Sequence, residues 1–234
     1  MSSNNGIKDN MIYCIGRRIM YLFMIDIYFL IAISPFLIYL IALGENLSIY
    51  MLAVLGILIG PAFSTILSVV SRLIKKEETS AKDDFIHFYK LNLIQGILAA
   101  TVINIVLLLC YLDINYFIKQ DKILISYIFA FIILFVLVVS LYVFPIISRI
   151  YARTKDVFKL SIELTFKKIY TTMKIILMLI ITAFMIKILN LTVIVVLFGP
   201  IAIGYLIMII QKNTLIEAEK ALKNKYEDLV QVED

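Results

Sequence analysis

The chain has 234 residues, of which 62% are apolar and 17% charged, with a mean hydropathy of +1.00 and a formal net charge of +5. One globular core of this length cannot bury so much apolar surface, which excludes a soluble domain and points to an integral membrane protein of a single domain. In such a chain the surplus of basic residues reports orientation in the bilayer rather than nucleic-acid binding, and two cysteines, Cys14 and Cys110, are too few for a disulfide framework.

Roughly 20 apolar helical residues cross a bilayer. Six stretches meet that length, at about 19–43, 47–74, 91–112, 123–147, 170–188 and 191–210. The expected architecture is therefore an all-α, polytopic transmembrane bundle of six spans. A segment 1–18 precedes the spanning domain 19–210, and a charged tail 211–234 follows it. Arg17-Arg18 leads into an apolar run too long for a cleavable signal and without a small-x-small cleavage site, so it reads as a retained first span. Inside it lies Asp26, the one acidic residue within a span. An unpaired carboxylate there needs a partner, and Arg72 and Arg149 are the candidates. The outcome is either a structural ion pair or a proton- or cation-coupling acid.

In the second span Gly56, Gly60, Ser64 and Ser68 recur every four residues and form one helix face, with Arg72 continuing the line. Small residues let helix backbones approach closely in lipid, where burying apolar against apolar gains little. This face suits packing inside the bundle, a homodimer contact or a solute-lined groove. All four prolines, Pro35, Pro61, Pro145 and Pro200, fall inside expected spans, where kinked or broken helices can line a midplane site. Gln95 and Asn104 in the third span are candidate interhelical hydrogen-bond partners.

Two connections read as amphipathic elbows on the inner leaflet, near 80–90 and 154–168. In the first, Ser80 and Asp83 have the form of a capping box, and Phe85, Phe88 and Lys90 would face headgroups or a protein partner. In the second, Thr154 is the candidate cap, and Val157, Phe158, Ile162 and Phe166 are apolar anchors. The tail reads as a solvated helix with a Glu219 to Lys223 pair and Leu215, Leu222 and Leu229 at seven-residue spacing. The fifth stretch is short, bounded by Lys174 and Lys187, and requires a tight turn through Asn190; a single helix from 175 to 210 would be about 54 Å long, too long for one crossing. Nearly all Lys and Arg flank one side of this arrangement, against Lys119, Lys122 and Lys187 on the other, which places both termini in the cytoplasm.

No motif for metal binding, phosphate binding or a catalytic nucleophile occurs. The single histidine, His87, follows Asp83-Asp84, a thin basis for catalysis. The expectation is no enzyme, no cofactor and no metal.

The order Gly60-Pro61-Ala62, then "SRLIKKEE", then "DDFIHFYK" resembles the YesL-like family of bacterial membrane proteins, whose function is not established. Gly60, Pro61, Ala62, Arg72, Lys75, Glu77, Glu78, Phe85, Phe88 and Lys90 carry the likeness, which extends over about residues 15–95. Beyond it, "VFPIISRIYA" matches in layout alone, and Asp26 departs from the neutral polar residue expected there. The resemblance implies a protein of the bacterial cytoplasmic membrane that accompanies carbohydrate uptake. The chain lacks the Glu-Ala-Ala loop of an ABC-transporter permease, so the implied role is an accessory or assembly partner of ABC transporter subunits, docking through its elbows. The alternative is an autonomous small-solute transporter or channel; a membrane enzyme using Asp83, Asp84 and His87 is a weaker third reading.

Overall fold

The computed structural model describes the backbone of residues 3–43, 47–74, 80–189 and 192–230, with side chains placed within 16–43, 47–74, 80–185, 187–188 and 199–222. Cys14, Lys75, Glu77, Glu78, the turn at Asn190, Lys223 and Leu229 therefore lie outside the described residues or side chains. Ten helices follow one another among the described residues: α1 (Ser3–Ala32), α2 (Ser34–Leu43), α3 (Ile49–Gly56), α4 (Ile59–Ile74), α5 (Ala81–Lys119), α6 (Ile123–Ile147), α7 (Thr154–Lys167), α8 (Ile169–Leu189), α9 (Thr192–Ile210) and α10 (Lys212–Val230). No strand occurs among the described residues.

Among the described residues three helical stretches, Ile49–Ile74, Ala81–Lys119 and Ile123–Ile147, are long and apolar enough to cross a membrane. The number rises to six if each of three bent pairs is one span: α1 with α2 at 65°, α7 with α8 at 91°, and α9 with α10 at 71°. The distribution of polarity agrees with a membrane setting. Along α5 the side chains of Ile94, Leu98, Val102, Ile105 and Leu109 point outward, whereas Asp84, Asn92 and Gln95 are buried. Apolar outside with polar inside inverts the soluble arrangement and leaves each buried polar group to find a partner within the bundle.

α4 lies at the centre, with eleven of its 16 residues buried. It packs on α5, α9, α6 and α1, and α5 packs in turn on α6, α1 and α3. The core joins Ile25 and Phe29 of α1, Ile66, Leu67, Val69 and Val70 of α4, and Tyr142, Val143 and Ile146 of α6.

Several sequence expectations change. The first elbow, near 80–90, is not a separate interfacial helix but the first turns of the 39-residue α5, about 58 Å long. Nothing between 81 and 119 stops the helix, and the inward stripe runs unbroken through Asp84, Phe85, Asn92, Gln95, Ala99 and Ile103. Ser80 does occupy the N-cap position, but its side chain makes no cap hydrogen bond; at the second elbow the N-cap is Arg153 rather than Thr154. The 154–168 segment does turn sharply, because α7 meets α8 at nearly a right angle.

The tail is not simply solvated, since α10 folds back on α6 and α9 and buries Leu215, Ala218 and Leu222. The prolines also differ in kind. Pro61 falls in the first turn of α4, where its missing N–H costs nothing, and Pro35 stands at the α1–α2 break. Pro145 and Pro200 alone interrupt a helix interior.

Candidate functional site

The small-residue face of the second span is occupied by α5, in antiparallel register. A Cβ built on Gly56 would lie 3.3 Å from Asn104 Nδ2. One built on Gly60 would lie 2.5 Å from Ala100 Cβ and 2.6 Å from the Gly96 carbonyl oxygen. Asn92 Nδ2 donates to Ser68 Oγ at 2.8 Å, and the Arg72 guanidinium lies 5.8 Å from the centre of the Phe88 ring. Each four-residue step along α3–α4 is thus met by a four-residue step back along α5. Because the glycines let the backbones nearly touch, the polar groups further along come within hydrogen-bond reach.

A buried polar cluster closes the end of the bundle that carries Arg18, Arg72 and Arg149. Asp84 accepts hydrogen bonds from the Tyr21 hydroxyl and from Arg72, each at 2.6 Å, and so ties α1, α4 and α5 together. Arg18 reaches the Leu73 carbonyl at 3.4 Å. Ser68 Oγ lies 2.9 Å from the Ser148 carbonyl and 3.1 Å from that of Ser64, while Gln95 Nε2 donates to the Ala152 carbonyl at 2.7 Å. Carbonyls beyond the end of α6, which have no helical partner, are satisfied in this way. Arg149 is 4.0 Å from Glu219 of α10; burial pushes its guanidinium below the ordinary value, and Glu219 opposes that shift.

Near both interior prolines a side chain from elsewhere in the bundle bonds the backbone: Gln211 from the α9–α10 turn and Asp26 from α1. Pro145 has no N–H to offer the Leu141 carbonyl one turn back, and Gln211 Nε2 donates to that carbonyl at 2.8 Å. Beyond Pro200, the N–H of Ile201 donates at 3.0 Å to Asp26 Oδ1. Asp26 is fully buried, and its Oδ2 has no hydrogen-bond partner among the described residues.

The expected ion pair of Asp26 with Arg72 or Arg149 is therefore not formed. Arg72 is held by Asp84, which lies on the facing helix twelve residues later in the chain, and Arg149 is turned toward α10. The backbone of α9 just after Pro200 offers Asp26 a donor instead. Asp84 and Gln211 were the pivotal residues that sequence reasoning missed. Asp84 follows the apparent Ser80–Asp83 capping box and entered the sequence reading only beside Asp83 and His87, but its separation of eight residues from Asn92 and eleven from Gln95 places it on their stripe. Gln211 ends an apolar run, and only the fold reveals that Leu141 is its partner.

The residues expected to dock a partner divide into two groups. Phe85 is buried, with Tyr28 and Tyr89 rings 5.8 Å away on either side, and Phe88 is half-buried against the core beneath Arg72. Both serve the bundle, a correction to the docking expectation; Lys90 remains exposed. On α7, Phe158 packs partly against the core, whereas Phe166 is 64% exposed, with the Phe135 ring 5.8 Å from its own between centres. The Asp83, Asp84 and His87 set does not converge. Asp84 points inward, while Asp83 and His87 are exposed. Among the described residues no group of His, Cys, Asp or Glu side chains could hold a metal ion.

Toward the other end of the bundle a cleft of about 540 Å³ opens between α2, α3, α5 and α6. Phe36, Leu52, Ile103 and Phe144 make its walls apolar, and Asn104 is among its few polar groups.

Residues 21–114 match the protein family described as "Protein of unknown function, DUF624". The match covers the C-terminal part of α1 from Tyr21, all of α2 to α4 and most of α5, hence the glycine crossing, Asp26 and the Tyr21–Asp84–Arg72 cluster, and it stops before α6. No curated protein and no solved structure matches the chain.

Proposed function

We propose that this chain is a multi-pass protein of a bacterial cytoplasmic membrane, with both termini in the cytoplasm and α7 as its docking surface. In this reading it is an accessory or assembly partner of an ABC-type carbohydrate uptake system. The observation that carries the docking surface is the outward face of α7 and its junction with α8. Val157, Ser161, Leu164 and Thr165 are buried on one side. Ile162, Phe166, Ile169 and Tyr170 remain exposed on the other, among Lys155, Lys159 and Lys167. An amphipathic helix at 91° to the following span lies in the plane of the interface, where such a face meets headgroups or another protein. The carbohydrate assignment rests on the YesL-like resemblance around Gly60-Pro61-Ala62. The reading assigns no catalysis and no cofactor to the chain.

The test is affinity capture of the intact protein from its native membrane in mild detergent, alongside an Ile162→Glu, Phe166→Glu variant. Transporter subunits recovered with the parent and lost with the variant support the reading. Recovery of the chain alone, or as a homodimer, counts against it.

A second reading, an autonomous small-solute transporter, is favoured by one observation, the buried carboxyl of Asp26 held on the backbone of the proline-interrupted α9. It expects solute flux from liposomes holding the purified protein alone, at a rate changed by Asp26→Asn.

A further inference from the structure

The carboxyl of Asp26 is enclosed by the bundle and flanked on α1 by buried Tyr21, Ile25, Phe29 and Ile33. One oxygen takes the Ile201 N–H at 3.0 Å, and the other has no partner among the described residues. We propose that Asp26, together with the gap that Pro200 leaves in the backbone hydrogen-bond ladder of α9, forms an exchangeable proton-binding site inside the bundle. This inference is independent of the partner assigned above, because a chain with no transporter beside it would still bind the proton.

Three observations select a proton over a metal ion or a counter-charge. First, no cation among the described residues is available to neutralise the carboxylate. The elements packed against α1 are α2, α4, α5 and α9. α4 carries Arg72, engaged by Asp84; α5 carries Asp84, engaged by Arg72 and Tyr21. α2 carries Tyr39, whose hydroxyl is bonded to Ser48, and the described side chains of α9 include one titratable group, the exposed Tyr205. On α1 itself Tyr28 packs against Phe85, and Arg18 is directed to the Leu73 carbonyl. Second, no group of His, Cys, Asp or Glu among the described residues could hold a softer metal, and a hard cation such as Ca²⁺ or Mg²⁺ needs about six oxygen ligands. Asp26 Oδ2 is one, and the carbonyl of residue 196, which Pro200 deprives of its helical donor, would be at most a second. Third, a proton needs only one lone pair, and Oδ2 supplies it.

Both protonation states have a partner at the same backbone N–H after Pro200. When the proton bonds to Oδ2, the carboxyl becomes neutral, Oδ1 becomes its carbonyl oxygen and the Ile201 hydrogen bond persists. When the proton leaves, the negative charge faces the Ile201 N–H and the positive end of the ten-residue helical segment that runs from there to Ile210. Without Pro200 that N–H would close a hydrogen bond within α9 and the carboxylate would lose this donor. The proline therefore makes release of the proton feasible in a site with no water-exposed surface.

Infrared spectroscopy of the intact protein in nanodiscs, titrated from about pH 5 to about pH 9, tests this directly. A protonated-carboxyl C=O band is expected near neutral pH. It should shift in D₂O and on aspartate ¹³C labelling, fade as pH rises and be missing from Asp26→Asn. In Pro200→Ala the band should persist to higher pH, with proton affinity raised at least tenfold. A band absent at every pH overturns the proposal, since Asp26 would then be permanently ionised. A band indifferent to bulk pH overturns it equally, since the acid would then be a sealed structural group. Labelling of the parent protein decides the matter even if Asp26→Asn fails to fold.

Discussion

Replacing single glycines by alanine probes the crossing of the second span with α5. A Cβ at Gly60 would stand 2.5 Å from Ala100 Cβ and 2.6 Å from the Gly96 oxygen, and one at Gly96 would stand 2.6 Å from Pro61 Cα and 2.8 Å from Pro61 N. Ordinary contact begins at 3.4 Å, and the obstructing atoms are backbone or a rigid methyl, so the helices must part by about an ångström along their contact. Gly16 has nothing within 4 Å of such a Cβ, and at Gly204 the nearest atoms are the tips of Ile66 and Leu67, at 3.0 and 3.5 Å. Gly16, Gly96 and Gly204 lie within helices, so the gain in helix propensity, about 1 kcal/mol, is common to them and cancels in comparison; Gly60, in the first turn of α4 and before Pro61, gains less, which adds to its deficit. Gly60→Ala and Gly96→Ala should each be about 1–3 kcal/mol less stable than Gly16→Ala, with Gly204→Ala between them. Thermal or denaturant unfolding in one detergent, read by near-ultraviolet dichroism, gives the order. If Gly96→Ala were as stable as Gly16→Ala, the close antiparallel crossing would be wrong.

The repair of Pro145 by Gln211 predicts coupling between residues far apart in the chain. Gln211→Met should cost about 1–2 kcal/mol in the parent and clearly less beside Pro145→Ala, where α6 can close its own hydrogen bond; additive losses in a double-mutant cycle would refute the pairing. Removing one member of the buried Arg72–Asp84 pair by Asp84→Ala should destabilise the protein by about 3–5 kcal/mol, with partial recovery in Arg72→Met, Asp84→Leu. A fully stable Asp84→Ala protein would remove the cluster from the account of the fold. On α7 the exposed Glu163–Lys167 pair lowers the carboxyl below its ordinary value of 4.5 and raises the amine above 10.5. Its small contribution to helix order is therefore present between those values. It is lost as pH falls through the lowered carboxyl value or rises through the raised amine value. A spin label at Lys159→Cys should gain mobility on acidification at low salt; mobility unchanged by that titration would rule out the coupling.

Apolar runs, the four-residue recurrence of Gly56, Gly60, Ser64 and Ser68, and the bend before α8 were legible in the chain because each is a local pattern of period or composition. The sequence could also announce that Asp26 needs a partner, since that follows from the cost of burying a charge. It could not name the partner. Arg72 was the plausible cation, but the antiparallel register of α5 brings Asp84 to it, and Asp26 is left to a backbone N–H on α9, 175 residues away. Phe85 and Phe88 show the same limit: their spacing defines an apolar face, while the neighbours Tyr28 and Arg72 decide that the face is core rather than a docking surface. Hydropathy and periodicity thus determined which segments are helical and which of their faces want cover. Pairing of helices across the bundle determined which polar groups meet, because hydrogen bonds and ion pairs act over a few ångströms and are indifferent to separation along the chain.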